Sequence, residues 1–128
     1  MRAYKVFKVK DGRLFSAFVE KKARIKYSPG KKSIGRTFQH RDGYKISLPI
    51  FACEDWISAC KIKSQFEETL PSCGPCYEIW EVEGKEYHKK FRFGFVPNLE
   101  LGEYRPTSYS FPPGTIFLRT CTPIRRIE

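Results

Sequence analysis

The stretch from Lys45 to Phe66 most constrains what this chain can fold into. An apolar run, Leu48 to Cys53, passes into two acids, Glu54 and Asp55, and then into a helical pattern. Trp56, Ile57, Ala59 and Cys60 stand at the i, i+1, i+3, i+4 spacing of one helix face. The two acids fall in the first turn, where the partial positive charge of a helix start favours anions. Lys61 and Lys63 fall toward the end that favours cations. The pattern predicts one helix over residues 54–66. No other stretch is as convincingly helical, so the strands elsewhere must bury their apolar faces against it.

Tyr4 to Val9 sets β-branched and aromatic residues between lysines, which suits a strand. Asp11-Gly12 is a turn able to take positive φ, with Leu14 to Val19 as its hairpin partner. Glu20 to Lys26 reads as a short edge strand whose lysines discourage edge-to-edge pairing. Tyr27-Ser28-Pro29-Gly30 and Arg41-Asp42-Gly43-Tyr44 are turns. Glu67 to Pro75 is a loop. Tyr77 to Glu83 alternates apolar with acidic residues but slips phase at Ile79-Trp80, which calls for a bulge or for a strand covered on both faces. Gly84 is expected to turn the chain back. Phe91, Phe93 and Phe95 form a core-facing stripe, Pro97 to Gly114 a long ordered loop, and Thr115 to Cys121 a buried final strand before a charged tail, Arg125 to Glu128. The expected class is α+β: one globular domain over residues 1–128, mostly antiparallel sheet with one principal short helix.

A chain of 128 residues buries about two-thirds of its unfolded surface and needs no metal or disulfide merely to fold. Eleven Phe, seven Tyr and two Trp within a 41% hydrophobic composition exclude disorder. No apolar run approaches the ~18–20 residues of a membrane span. The first residues lack the apolar core of a secretory signal, so a soluble, cytoplasmic protein without membrane contact is expected. Five cysteines cannot all pair within one chain, and reduced thiols are expected.

The net charge of +10 is segregated. Residues 21–45 carry nine bases (Lys21, Lys22, Arg24, Lys26, Lys31, Lys32, Arg36, Arg41, Lys45) against Asp42 alone, a local +8. Residues 54–86 carry eight acids against three lysines, a local −5. Such segregation favours an anionic partner over simple solubility.

Among stretches that could carry chemistry, Cys73-Gly74-Pro75-Cys76 has the letters of the thioredoxin redox site. That site opens a helix, whereas a strand follows here and brings acids that oppose a thiolate. The same pair could supply two zinc ligands with His88, Cys53, Cys60 or Cys121, but no second pair stands at matching spacing. A tight turn with incidental thiols accounts for it, and no metal or cofactor is assigned. His40 and His88, each flanked by bases, are read as exposed histidines; nothing in the sequence unites them for acid–base cleavage of RNA. There is no Gly-x-Ser-x-Gly elbow and no phosphate loop with the required glycine spacing.

What remains is basic residues interleaved with aromatics. Arg24, Lys26, Tyr27, Lys31, Lys32, Arg36, Phe38, His40 and Arg41 form one group. Tyr87, His88, Lys89, Lys90 and Arg92 form a second. Lysine and arginine neutralise phosphates and release counterions, while aromatic faces stack on bases. The expected function is binding of a phosphate-bearing partner, above all nucleic acid, by the 21–45 segment with help from Lys89, Lys90 and Arg92. Tyr27 or Phe38 would stack.

The opening Tyr-Lys-Val strand, the Tyr-x-Pro-Gly turn, and the Pro-Ile-Phe-Ala strand followed by acids and a short helix resemble small ADP-ribosyltransferase-like domains over about half the chain. The resemblance extends to a strand after the helix, Tyr77 to Val82. It implies an enzyme acting on a nucleotide. The chain departs from it in having no His-Gly-Thr or Ser-Thr-Ser triplet, and its Glu81-Val82-Glu83 stands in or at the end of a strand. Two alternatives to simple binding therefore stay open. One is an enzyme acting on a nucleotide or RNA, ADP-ribosyltransferase-like or a small nuclease, with a cleft holding Glu81, Glu83, His40 or His88. The other is a protein-interaction module using its opposed charges.

Overall fold

The computed structural model describes residues 1–17, 25–35, 37–39, 45–47, 49–69, 76–87, 95–98, 103–106 and 113–128. Strand β1 (Arg2–Lys10) reverses at Asp11-Gly12 into β2 (Arg13–Ser16). Both turn residues have positive φ, 53° and 72°. Two such residues make the mirror-image tight turn whose twist matches the flanking strands. The turn sets the register, with Lys10 opposite Arg13, Val9 opposite Leu14, Lys8 opposite Phe15 and Phe7 opposite Ser16. Strand β3 (Lys26–Tyr27) adds to β2, with Phe15 opposite Lys26 and Leu14 opposite Tyr27. Ser16 and Ile25 clamp the two ends of the intervening segment. The Ser16 amide donates to the Ile25 carbonyl at 3.0 Å, and the Ser16 hydroxyl oxygen accepts from the Ile25 amide at 3.0 Å.

After β3 comes a tight turn in which the Lys31 amide donates to the Ser28 carbonyl at 3.0 Å. Pro29 occupies its second position and Gly30, at φ 76°, its third, as the type II turn requires. The Gly30 amide then donates to the carbonyl of Pro123 at 2.8 Å, and β4 (Ser33–Ile34) pairs with β12 (Thr120–Arg126). Strand β8 (Cys76–Glu83) lies antiparallel between β1 and β12. Around β8, β1, β2, β3, β4 and β12 the sheet is nearly closed and barrel-like; among the described residues the fold is mostly antiparallel sheet with a single helix, as the α+β expectation holds. Strand β7 (Ile50–Cys53) joins the start of β1 to β11 (Thr115–Leu118), which bends at Arg119 into β12. Two further antiparallel pairs stand apart from this sheet: β5 (Thr37–Gln39) with β6 (Lys45–Ser47), and β9 (Phe95–Asn98) with β10 (Glu103–Pro106).

The two faces of the sheet bury two cores, because successive residues of a strand point to opposite sides. Ala3, Phe7, Leu14, Tyr27, Ile50, Ala52, Val82, Leu118 and Cys121 fill the inside of the barrel. Val6, Cys53, Tyr77 and Ile79 meet Ala59 and Ile62 of the helix α1 (Trp56–Thr69) on the outside. Burying an isoleucine such as Ile62 or Ile79 contributes about 1.5–3 kcal/mol. Lys5 shares the β1 face of Ala3 and Phe7 and is 4% exposed.

Several expectations need correcting. Helix α1 begins at Trp56, with Asp55 as its cap: the Ser58 amide donates to Asp55 Oδ1 at 2.7 Å. Its buried face is Ala59 and Ile62, with Phe66 alongside, whereas Trp56 and Ile57 are 45% and 64% exposed. The helix runs on to Thr69, so Lys61 and Lys63 lie in its middle rather than in its last turn, which holds no base. The phase slip at Ile79-Trp80 is a strand covered on both faces: β1 and β8 stay in register from Arg2 opposite Glu83 to Val9 opposite Cys76. The register shift lies in β12, between Pro123 and Arg125. Gly84 does not reverse the chain, since Glu86 bridges Leu118 and the Tyr87 amide donates to the Phe117 carbonyl at 2.9 Å. The segment read as a loop from Pro97 contains a strand pair, and the expected tail belongs to β12, with Ile127 and Glu128 hydrogen-bonded to Ile79. Turn Arg41-Asp42-Gly43-Tyr44, the stripe from Phe91 to Phe93 and the stretch from Leu70 to Pro75 lie outside the described residues. Among the described residues no helix is long and apolar enough to cross a membrane.

Candidate functional site

Directly opposed residues on neighbouring strands share a face. The register therefore puts Lys8, Phe15 and Lys26 side by side across β1, β2 and β3, with Lys10 and Arg13 as the next pair toward the hairpin tip. Val9, Leu14 and Tyr27 turn the other way, into the barrel. Lys10, Arg13 and Lys26 are exposed, and Lys8 and Phe15 are half-buried. Asp11, at the tip, is the one acid in the hairpin. None of these four cations has an ion pair among the described residues.

The acids of β8 are committed elsewhere. Glu81 accepts from Arg125 Nε at 2.7 Å and from an Arg2 guanidinium nitrogen at 3.0 Å. Glu83 meets the N-terminal amine at 2.9 Å and Arg2 Nε at 2.8 Å. Glu78 accepts from the Trp80 indole at 3.0 Å and faces Arg126 at 3.5 Å. The Arg125 hydrogen bond above all holds the Glu81 carboxyl below the usual range, and the N-terminal amine does the same for Glu83. Neither is an acid kept protonated for proton donation. Glu81-Val82-Glu83 is thus an ion-paired part of a strand.

Of the residues singled out from sequence, Lys26 sits in the basic row, and Lys31 and Lys32 are exposed beyond the Ser28–Lys31 turn. Tyr27 is corrected: it is 2% exposed and packs edge-on against Phe7, ring centroids 4.9 Å apart. Its ring belongs to the core and offers no stacking platform. Lys26 and Tyr27 are adjacent in a strand and cannot point to the same side. Phe38 lies in β5, its side chain outside the described set, and Arg24, Arg36, His40, Arg41, Lys89, Lys90 and Arg92 lie outside the described residues. Sequence reasoning missed Lys8, Lys10, Arg13 and Phe15. The Asp11-Gly12 turn was the signal, because a two-residue turn settles which residues oppose one another.

Cys76 is exposed and opens a strand, so the helix start that would activate a thioredoxin-type thiolate is missing from its C-terminal side. Cys53 and Cys121 are buried in different cores. Among the described residues no three of His, Cys, Asp or Glu gather as a metal site; Cys73 and His88 lie outside that set.

No family model matches this chain, and no curated protein or solved structure matches it.

Proposed function

We propose that this chain is a non-enzymatic binding protein for a phosphate-bearing ligand, above all nucleic acid, and that the outer face of β1–β2–β3 is where it binds. The observation that carries this reading is the cross-strand set Lys8, Lys10, Arg13 and Lys26 around Phe15, cations without carboxylate partners among the described residues, while Arg2, Arg125 and Arg126 take up the acids of β8. Exposed Lys31 and Lys32 extend the positive field. Lysines and arginines act here by charge, displacing counterions from the phosphates. The enzymatic alternative finds less support, because Glu81 and Glu83 are held as ionised partners of cations.

The test is fluorescence anisotropy with labelled DNA and RNA oligonucleotides across a salt series. Four phosphate contacts predict a slope of log affinity against log salt of about −3 for a single strand. Affinity that is absent, or flat from about 50 to 200 mM salt, overturns the reading.

A further inference from the structure

Helix α1 leaves its most apolar turn in solvent. Trp56 and Ile57 are 45% and 64% exposed, and the indole has no ring contact among the described residues. Glu54 and Asp55 stand beside them, both exposed. Asp55 is kept ionised by the bond from the Ser58 amide. The Glu54 carboxylate has no ion pair among the described residues. Lys61, one turn beyond Ile57, offsets one of these charges and leaves the end acidic.

The cations without carboxylate partners lie toward the other end of the helix. Phe66 stacks on Tyr77, which the register sets opposite Lys8. At about 1.5 Å per residue, the Trp56 turn is then about 15 Å along the axis from the basic set of Lys8, Lys10, Arg13 and Lys26. That exceeds the Debye length of about 10 Å at 0.1 M salt, so within one molecule neither end neutralises the other.

Going beyond the polyanion reading, we propose that copies of this chain associate head to tail, the basic β1–β2–β3 face of one docking on the Trp56–Ile57 end of α1 in the next. Charge complementarity selects a second copy as the occupant. One end offers an indole and an isoleucine rimmed by carboxylates, and the other offers lysines and an arginine, which an indole face attracts. Two exposed apolar side chains make a small centre, so the contact is a weak one, set by concentration and salt. Because the two surfaces differ, each added copy brings a fresh pair of ends, and growth continues unless a rotation closes a ring.

The experiment is sedimentation velocity of the full chain, over a concentration series at about 50 and 500 mM salt. Mass is expected to grow with concentration at the lower salt and to return to that of the monomer at the higher. The double variant Trp56→Ser/Ile57→Ser lacks one end and Lys10→Glu/Lys26→Glu lacks the other, so each alone is expected to be monomeric. Mixed, they retain one competent pair of ends and should form a dimer and nothing larger. Ile57→Ser and Lys26→Glu singly, both at exposed positions, should each weaken association about tenfold and serve should a double variant fail to fold. A monomer under every condition, mass that survives the higher salt, self-association of either double variant, or a mixture that stays monomeric overturns the proposal. A labelled oligonucleotide separates it from the reading of the basic face. Chains that bind the oligonucleotide yet never associate leave that reading standing alone, and chains that associate without binding it leave the association standing alone.

Discussion

Inside the barrel, Lys5 Nζ donates a hydrogen bond of 2.5 Å to the backbone carbonyl of Phe51. The same ammonium lies 5.6 Å from the ring centre of Phe7 and 5.8 Å from that of Tyr27. One carbonyl and two ring faces replace a full hydration shell only in part. Burial accordingly lowers the Lys5 pKa from its ordinary value of 10.5. Below the lowered value the fold must hold a proton that it binds more weakly than the unfolded chain does. The resulting destabilisation is fully present below the lowered value and disappears as pH rises from there to 10.5.

Lys5→Met keeps the length of the side chain and removes the charge, so urea unfolding at pH 6 should show it more stable than the parent chain by about 1–2 kcal/mol. The gain should shrink steadily toward pH 10. A loss of stability at pH 6 would show that the Phe51 bond and the two rings more than offset the desolvation.

The thiols of Cys53 and Cys121 oppose Lys5 with pH. Burial pushes each up to about 11 from an ordinary 9.0. Between those values the unfolded chain releases thiol protons that the folded chain keeps, so stability falls as pH rises through that window. Each thiol contributes a fall of about 1.4 kcal/mol per pH unit there. Lys5 contributes the opposite sign below 10.5, and the half-buried Cys60, also raised, adds to the fall. Urea midpoints of the double variant Cys53→Ala/Cys121→Ala, followed from pH 9.5 to 10.5, should lose about 3 kcal/mol per unit of that downward slope. An unchanged slope would place the alkaline loss elsewhere.

Asp55 caps α1 through the Ser58 amide at 2.7 Å, and that bond holds its carboxyl below the ordinary 3.8. Its contribution is present above pH 3.8 and is lost as pH falls through the lowered value. Asp55→Ala should lower the thermal midpoint at pH 7 by about 4 °C, whereas Asp55→Asn should recover most of the loss, since asparagine is as good a cap. The Asn variant should also lose the acid dependence, which a scan at pH 3 against pH 7 would detect.

How much was legible in the letters depended on parity. The hairpin could be placed residue by residue, because Asp11-Gly12 admits one register. Lys5 and Lys8 look alike in sequence, yet three positions apart on a strand they face opposite sides. One joins Ala3 and Phe7 inside, and the other joins Phe15 outside. The two-residue strand β3 leaves parity unset, so the letters alone do not tell that the Tyr27 ring faces inward. The helix was visible, but its face was not: Trp56 and Ile57 are its most apolar start and still stand in solvent, while Ala59, Ile62 and Phe66 make the contact. Pro97 and Pro106 masked β9 and β10, since proline in a strand ordinarily argues against one.

Gly84 marks a close approach in the barrel wall. Its amide donates to the Met1 carbonyl at 3.0 Å, holding the β8 extension against the start of β1. On its other side, a methyl group here would run into the Thr120 carbonyl oxygen and press on Leu118. Thr120 cannot step back easily, because β4 pairs with it and the neighbouring Arg119 amide is bonded to Lys85 at 2.7 Å. Gly84→Ala therefore has no cheap relaxation and should cost about 2–4 kcal/mol, toward the severe end for a single added carbon. Gly12→Ala is the control: its surroundings are open, so only the backbone penalty of its positive φ remains, about 1 kcal/mol. Urea midpoints for the two variants should rank in that order. Equal losses would mean that the wall at Thr120 yields, and that the barrel is looser there than its hydrogen bonds require.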